Sequence, residues 1–348
     1  MHEHRIEGKW IAAFARVFEL CKVAAGDPVA ILSETQSRQI NVELAELALL
    51  AVAARPFHVV LPSPPQRAPV PIRSTGSSSA IGGLEPVIAA LAASSLVVDV
   101  TVEGMLHAPE LRHIVADGAR LLMISNEHPE VLERLIPDPA LEPAVAAAVA
   151  RLRGAEQMTV RSAAGTDLRI DVGKAMVAGV WGCCDRPKQV AHWPGGIVVS
   201  FPRAKTVNGT LVLAPGDVNL TFKRYIERPI RLTVESDYIT EIEGDGVDAD
   251  LFREYMAAWG DRNAYAVSHV GWGMNPRARW EAMMMYDKND CNGTELRAFA
   301  GNFLYSTGAN QFAGRYTQGH FDLPMRNCTI ALDGHIVVAE GALGTRAL

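Results

Sequence analysis

At 348 residues, the chain exceeds the length that one hydrophobic core usually supports, so two domains are the default expectation. Its composition, with 49% hydrophobic and 21% charged residues, is typical of globular proteins and excludes a mainly disordered chain. The net charge of -6 provides no basic surface for nucleic acid or for an anionic membrane, and we expect neither as a partner.

Sequence features that report the cellular compartment favour the cytoplasm. The N-terminal segment carries mixed charge and lacks the basic, apolar and small-residue regions of a signal peptide, and no apolar run is long enough to span a bilayer. The five cysteines are odd in number and scattered, and no C-x-x-C motif is present. This pattern is typical of a reducing compartment, so we expect a cytoplasmic protein.

Apolar runs alternate with amphipathic stretches in the first half of the chain. A buried strand is predicted over 27–34, a helix that ends at Pro56 over 41–56, and another strand over 57–64. The alternation continues with a helix and strand over 86–100, a helix over 109–119, a strand over 120–125, and helices over 129–137 and 141–155. It predicts an α/β domain with a mostly parallel sheet. The stretch 62–83, rich in Pro, Ser and Gly, predicts a long surface loop.

The pattern changes after residue 156 to short strands with alternating apolar residues. One helix is predicted over 248–260, with Asp248 as its N-cap and Gly260 as its end. We therefore predict an α/β domain over 1–155 and a β-rich α+β domain over 156–348.

The strongest local motif is His320-Phe321-Asp322, because alternation in an extended segment places the imidazole and the carboxylate on one face, where both can reach one metal ion. A facial triad of two histidines and one carboxylate requires one more histidine. His107, His192 and His269 remain as candidates, the last two in segments dense in Gly, Pro and Trp. Composition alone does not choose among the three.

Several longer blocks resemble one enzyme family in sequence and in order. They are SHVGWGMNPRARW (268–280), RAFAGNFLYSTG (297–308) and GHFDLPMRNC (319–328), together with MLHAPE (105–110), HWPGG (192–196) and GTLVLAPGDV (209–218). These blocks resemble the 2,5-dihydroxypyridine 5,6-dioxygenases of nicotinate degradation, which are related to the thermophilic metalloaminopeptidases of the aminopeptidase T type. The resemblance covers most of the chain and is densest after residue 180. It implies a ring-cleaving dioxygenase that inserts both atoms of O2 into 2,5-dihydroxypyridine to give N-formylmaleamic acid.

The resemblance also implies a set of site residues. It assigns a single Fe2+ to His269, His320 and Asp322, whose ligation would leave open positions for the substrate and O2. It places His107 and His192 in the pocket, where either imidazole is able to act as the base that removes a ring hydroxyl proton. Relatives of this kind further suggest a homo-oligomer.

Three alternatives stay open. The first is a dinuclear aminopeptidase-like hydrolase, which is disfavoured because Ile197 and Asn302 stand where those peptidases carry metal ligands, and His269 where they carry a bridging glutamate. The others are a related dioxygenase acting on a different hydroxylated N-heterocycle and a non-catalytic small-molecule binding protein. The segment 179–192 departs from the family pattern, so the resemblance does not fix the exact substrate. Arg297 is interpreted as a structural ion-pair partner in preference to an anion contact.

Overall fold

The computed structural model describes residues 5–65 and 77–344. The predicted loop over 62–83 falls partly on 66–76, outside the described residues. The helices are α1 (Gly8–Leu20), α2 (Gln39–Ala51), α3 (Glu85–Ala92), α4 (Leu111–Ile114), α5 (Pro129–Arg134), α6 (Leu141–Gly154), α7 (Val247–Ala258), α8 (Ala282–Met285) and α9 (Thr294–Ala298). Within the described ranges, no helix has the length and apolar character needed to cross a membrane.

The strands, in chain order, are β1 (Pro28–Glu34), β2 (Arg55–Leu61), β3 (Leu96–Asp99), β4 (Arg120–Ile124), β5 (Gln157–Arg161), β6 (Asp167–Asp171), β7 (Met176–Val180), β8 (Val190–Trp193), β9 (Ile197–Phe201), β10 (Val207–Leu213), β11 (Val218–Asn219), β12 (Arg224–Tyr225), β13 (Ile230–Glu235), β14 (Tyr238–Glu243), β15 (Val267–Gly273), β16 (Phe303–Asn310), β17 (Arg315–Met325), β18 (Thr329–Leu332), β19 (His335–Ala339) and β20 (Ala342–Leu343).

A five-stranded parallel sheet, in the order β2-β1-β3-β4-β8, forms the first layer. Successive residues of its strands enter two different cores: Val29 and Ile31 pack with α1 and α2, whereas Ala30 and Leu32 pack with α3 on the other face. Burial on both faces explains the nearly continuous apolar runs of these strands. The predicted α/β region with a mostly parallel sheet is confirmed.

Strand β8 belongs to this sheet although it lies beyond the predicted domain boundary. It pairs in parallel with β4, with Met123 opposite His192 and Ile124 opposite Trp193. The division of the chain at 155/156 stays a prediction, and the parallel sheet draws its last strand from the later half.

Sheets of antiparallel strands make up most of the later half, and the predicted β-rich α+β region is confirmed. One has eight strands in the order β14-β13-β10-β6-β5-β18-β19-β20, and another has five in the order β17-β16-β15-β9-β7. The five-stranded antiparallel sheet and the parallel sheet bury their apolar residues in one shared core. His107 beyond β3, Met123 on β4 and His192 on β8 line one cavity together with His269 and His320 of the antiparallel sheet.

Several local boundaries differ from the predicted ones. The helix predicted over 41–56 is α2, which ends at Ala51, because Ala53 adopts a left-handed conformation (φ 57°), and Pro56 lies in β2 instead of ending the helix. Helix α4 covers only four of the predicted residues. Asp248 is not the N-cap of α7, which is Gly246; instead the Asp248 carboxylate accepts a hydrogen bond from Glu227 N and pairs with Arg224.

Candidate metal centre

Three neighbouring strands of the five-stranded antiparallel sheet bring the predicted ligands together. Asp322 on β17 lies opposite Ser306 on β16, and His320 lies opposite Gly308. His269 comes from β15, on the other side of β16. Because alternate residues of a strand share a face, His320 and Asp322 project to the same side.

The side-chain atoms of these residues lie close to one another. Asp322 Oδ1 is 3.2 Å from His320 Nε2 and 3.9 Å from His269 Nε2. The Ser306 hydroxyl lies between them, hydrogen-bonded to Asp322 Oδ1 and 3.1 Å from His269 Nε2. Ser306 was not singled out from the sequence; its signal would have been its register between His269 and Asp322.

A third imidazole, that of His107, joins this cluster from the loop that follows β3. One ring nitrogen from each of His107, His269 and His320 lies within 4.8 Å of the other two. The His107 ring is stacked on that of His269, with 5.9 Å between centroids, and is 5.4 Å from that of His320. The cluster therefore offers four donors, the three predicted ligands and His107.

His192, on β8, faces the same cavity but is fixed by its own turn. Its Nδ1 lies 2.6 Å from the carbonyl oxygen of Pro194, which only accepts, so Nδ1 carries the proton and Nε2 has a free lone pair. The turn is shaped by close backbone packing: a Cβ on Gly195 would lie 2.2 Å from Gly182 N. The Asn275 amide donates to Gly195 O at 2.9 Å and so ties this turn to the segment after β15.

Burial and local charges keep these groups in distinct protonation states. Burial lowers the pKa of His107 to about 4 and the pKa of His192 to about 4. It lowers the pKa of His269 to about 3, against the opposing attraction of Asp322. For Asp322, burial alone would raise the pKa, but Arg297 and the neighbouring histidines outweigh it and hold the pKa well below its usual range.

These protonation states are the ones that bind a metal ion, which requires unprotonated imidazole nitrogens and ionised carboxylates. His269 lies between two serine hydroxyls: Ser268 Oγ is 3.2 Å from Nδ1, and Ser306 Oγ is 3.1 Å from Nε2. In the tautomer with the proton on Nδ1, Ser268 Oγ accepts that proton's hydrogen bond and Nε2 presents its lone pair to the cluster, as is usual for a metal-binding histidine whose other nitrogen is hydrogen-bonded. The donor set therefore fits a divalent transition metal.

The cluster lines the wall of a cavity of about 840 Å³. Apolar side chains surround the imidazoles, among them Val199, Phe201 and Leu304. The Phe201 ring lies 5.4 Å from that of His269 and 5.4 Å from that of Phe312, so aromatic rings extend from the cluster toward the cavity mouth. Such a site is suited to a small flat aromatic molecule with a few polar groups.

Comparisons with known proteins give the family. The 2,5-dihydroxypyridine 5,6-dioxygenase family matches residues 9–345. The chain is 38% identical over 332 residues to the curated 2,5-dihydroxypyridine 5,6-dioxygenase of Pseudomonas putida KT2440, covering 94% of both chains. The chain belongs to this dioxygenase family.

Solved structures agree with this membership. The structure of 2,5-dihydroxypyridine dioxygenase from Pseudomonas putida KT2440 superimposes with a TM-score of 0.91 at 37% identity, covering 97% of both chains. Wild-type AmpT from Thermus thermophilus superimposes with a TM-score of 0.62 at 13% identity, covering 96% of this chain and 98% of that chain. The second likeness shows a common fold only.

Ile197 and Asn302, which were compared with peptidase metal ligands in the sequence, have structural contacts in this protein. Ile197 is buried in an apolar cluster. The Asn302 amide accepts a hydrogen bond from Gly273 N at 3.0 Å and donates to Arg297 O and Phe299 O, both at 2.9 Å. Neither residue offers a ligand atom, so these positions give no support to a dinuclear centre.

Arg297 forms the expected ion pair, and its partner is within the cluster. Its Nε lies 2.5 Å from Asp322 Oδ2, and its side chain is 12% exposed. The guanidinium therefore engages one carboxylate oxygen, while Oδ1 faces His269 and His320. This pairing explains why a buried carboxylate stays ionised beside three apolar-packed imidazoles.

Proposed function

We propose that this chain is a mononuclear iron(II) dioxygenase that opens the ring of 2,5-dihydroxypyridine with O2 to give N-formylmaleamic acid. The observation that carries the proposal is the convergence of two imidazoles and one carboxylate on a single cavity wall, in a member of the 2,5-dihydroxypyridine 5,6-dioxygenase family. His269, His320 and Asp322 would hold the iron, and His107 would stand beside it as a catalytic group.

The choice of the carboxylate over His107 as the third ligand rests on chemistry and on chain geometry. Two histidines and a carboxylate are the usual ligands of non-haem iron(II) oxygenases and leave one side of the ion open. Asp322 shares a rigid strand with His320, whereas His107 is on a loop. Bound iron(II) would relay electrons from the aromatic ring to O2, which allows triplet O2 to react with a singlet molecule.

The remaining residues would bind, orient and deprotonate the substrate. His107 is neutral near pH 7, since burial lowers its pKa to about 4, and we propose that it accepts the proton of a ring hydroxyl. His192, held by Pro194 O, presents Nε2 as a fixed acceptor that orients the second polar group of the ring. The apolar wall formed by Phe201, Val199 and Leu304 would exclude water from the reacting ring.

Substrate identity depends in part on the cavity wall formed by the segment 179–192, which is expected from the sequence to differ from the family pattern. Gly179, Val180, Val190 and His192 line the cavity, and all four lie in or beside the segment 179–192. A second candidate function, cleavage of a different hydroxylated N-heterocycle, is favoured by this observation alone. The two candidates are separated by comparing kcat/KM for 2,5-dihydroxypyridine with that for ring analogues that lack one hydroxyl or carry a carboxyl group.

The decisive experiment is anaerobic reconstitution of the metal-free chain with Fe(II), followed by metal analysis and oxygen-electrode assays. One iron per chain and one O2 consumed per 2,5-dihydroxypyridine are expected. Two zinc ions per chain with peptidase activity would favour the hydrolase, and ligand binding without O2 uptake would favour a non-catalytic binding protein.

We further propose a cytoplasmic location and a homo-oligomeric assembly. All five cysteines are free and buried, as suits a reducing compartment. Cell fractionation and light scattering of the purified protein test the two statements separately.

A further inference from the structure

A buried carboxylate outside the ligand cluster, that of Glu127, lies just beyond β4 and is 1% exposed. It accepts three backbone hydrogen bonds from the start of α9: Asn292 N donates to Oε2 at 2.7 Å, and Gly293 N and Thr294 N donate to Oε1, each at 2.9 Å. An ionised carboxylate at the first amides of a helix satisfies donors that have no partner within the helix. Glu127 thus holds the start of α9 from the opposite half of the chain.

Other contacts hold the same short helix. Ser125 Oγ lies 2.6 Å from Thr294 Oγ1 and accepts from Asn292 Nδ2 at 2.7 Å. The Arg134 guanidinium pairs with both carboxylate oxygens of Glu295, at 2.7 and 2.8 Å. The Asn302 amide also donates hydrogen bonds to the carbonyl oxygens of Arg297 and Phe299. Together, these contacts hold α9 at its start, along its side and at its end.

Helix α9 carries Arg297, whose Nε lies 2.5 Å from Asp322 Oδ2. Five helical residues have little stability of their own, so the position of Arg297 depends on the contacts that hold α9. A displacement of Arg297 would lengthen its contact with Asp322 Oδ2 and loosen the orientation of the carboxylate.

We propose that Glu127 is a positioning residue for the metal centre: by holding the start of α9 it sets Arg297 against Asp322 Oδ2, so that Oδ1 stays directed toward His269 and His320. This inference rests on the proposed ligand set. Glu127 acts through Arg297 and does not contact the metal or the substrate. Outer residues that orient metal ligands commonly change metal affinity by about 10–100-fold when replaced, and an effect in this range is expected here.

The test is a double-mutant cycle on the full-length metal-free chain, with Co(II) as the probe and its Kd as the first readout. Glu127→Gln is expected to weaken Co(II) binding by about 10-fold or more, whereas the same change in an Arg297→Lys background is expected to weaken it less than about 3-fold further. The absorption spectrum of bound Co(II) is expected to change in Glu127→Gln, because the orientation of the carboxylate ligand changes.

Asp217→Asn is the matched control. The Asp217 carboxylate is also buried and also accepts backbone hydrogen bonds, from Ala214 and Arg326, away from the residues that line the cavity. It should lower the unfolding midpoint without changing the Co(II) Kd or spectrum. If Glu127→Gln does not accumulate as folded protein, Ser125→Ala loosens the same end of α9 and should show a smaller effect of the same kind, again lost in the Arg297→Lys background.

Unchanged Co(II) affinity in Glu127→Gln, or an equal loss with and without Arg297, would overturn the role of Glu127. Failure of the proposed function looks different: the wild-type chain would bind no Co(II), or His269→Ala would bind it as tightly as the wild type. In that case the ligand set itself is wrong, whatever the response of Glu127.

Discussion

The cavity has two walls, and each is built from a different kind of sheet. The antiparallel wall carries His269, His320 and Asp322 inside paired strands, where register fixes their spacing. The parallel wall carries His107 and His192 at or beyond the ends of strands. We interpret the first wall as the metal-binding side and the second as the proton-handling side.

The difference shows how geometry is matched to chemistry. Metal ligands must hold fixed mutual distances, and neighbouring strands provide these distances with little dependence on loops. A group that transfers a proton must approach a bound substrate, and a loop or strand end allows that approach. If this division is correct, substitutions on the two walls will separate metal binding from turnover.

The largest effect is expected for His320→Ala, on the antiparallel wall. Removing one of three ligands should abolish Fe(II) retention and turnover together, a loss well beyond the roughly 10–100-fold of outer-residue changes. Metal analysis after gel filtration and oxygen uptake measure both. His335→Ala, at an exposed histidine on β19, is the control and should behave as wild type. A His320→Ala protein that keeps iron and activity would contradict the ligand assignment.

His107→Gln, on the parallel wall, should reduce turnover and leave metal binding nearly unchanged. We expect kcat to fall by about 10²–10⁴-fold, the usual contribution of a general base, with Co(II) affinity within a few-fold of wild type. Steady-state kinetics and Co(II) titration are the measurements. Loss of metal binding in this variant would instead make His107 a ligand and erase the distinction between the walls.

Asp99→Asn tests how the His107 loop is held. The Asp99 carboxylate accepts hydrogen bonds from Thr101 N, Thr101 Oγ1 and Met105 N at 3.0, 2.7 and 2.7 Å, two to six residues along the loop that leads to His107. Because an amide accepts on only one of its two atoms, we expect kcat to fall by about 10-fold with unchanged Co(II) affinity. A decrease in Co(II) affinity equal to the decrease in kcat would show that the two walls are coupled through this loop.

The smallest effect concerns stability and pH at His192. Burial lowers the pKa of His192 from 6.5 to about 4, so the folded state favours the neutral ring. The resulting stability is complete above pH 6.5 and is lost as the pH falls through the window between 6.5 and 4. When the pH is lowered from 7.5 to 5, the free energy of unfolding of the metal-free wild type should fall by about 2 kcal/mol more than that of His192→Gln. Urea unfolding at both pH values measures the difference, and equal losses would show that the folded protein does not hold this ring neutral.

Much of the fold was predictable from local patterns. Strand–helix alternation predicted the parallel sheet, and period-two alternation predicted the β-rich later region, because each pattern reports which faces of a segment are buried. The pairing of His320 with Asp322 on one face follows from the same alternation. His269 was identified only through the family resemblance, since nothing in its own surroundings distinguishes it from His107 and His192.

The rest depends on contacts between residues far apart in the chain. His107 lies beside the ligand set because β3 directs its loop toward β15 and β17, which local composition does not encode. The hydrogen bond from Asn292 to Glu127 joins residues 165 positions apart. The contacts that hold the start of α9 therefore cannot be predicted from the sequence near α9. The membership of β8 in the parallel sheet was missed for the same reason.

The parallel pairing of β8 with β4 bears on whether the molecule is divisible. Every residue of β4 is buried, and β8 covers its hydrogen-bonding edge. A polypeptide stopped at residue 155 would leave that apolar edge open to other chains, and open edges of this kind promote aggregation. Co-expressed halves split at that point should therefore recover solubility only when the second half is present to donate residues 190–193.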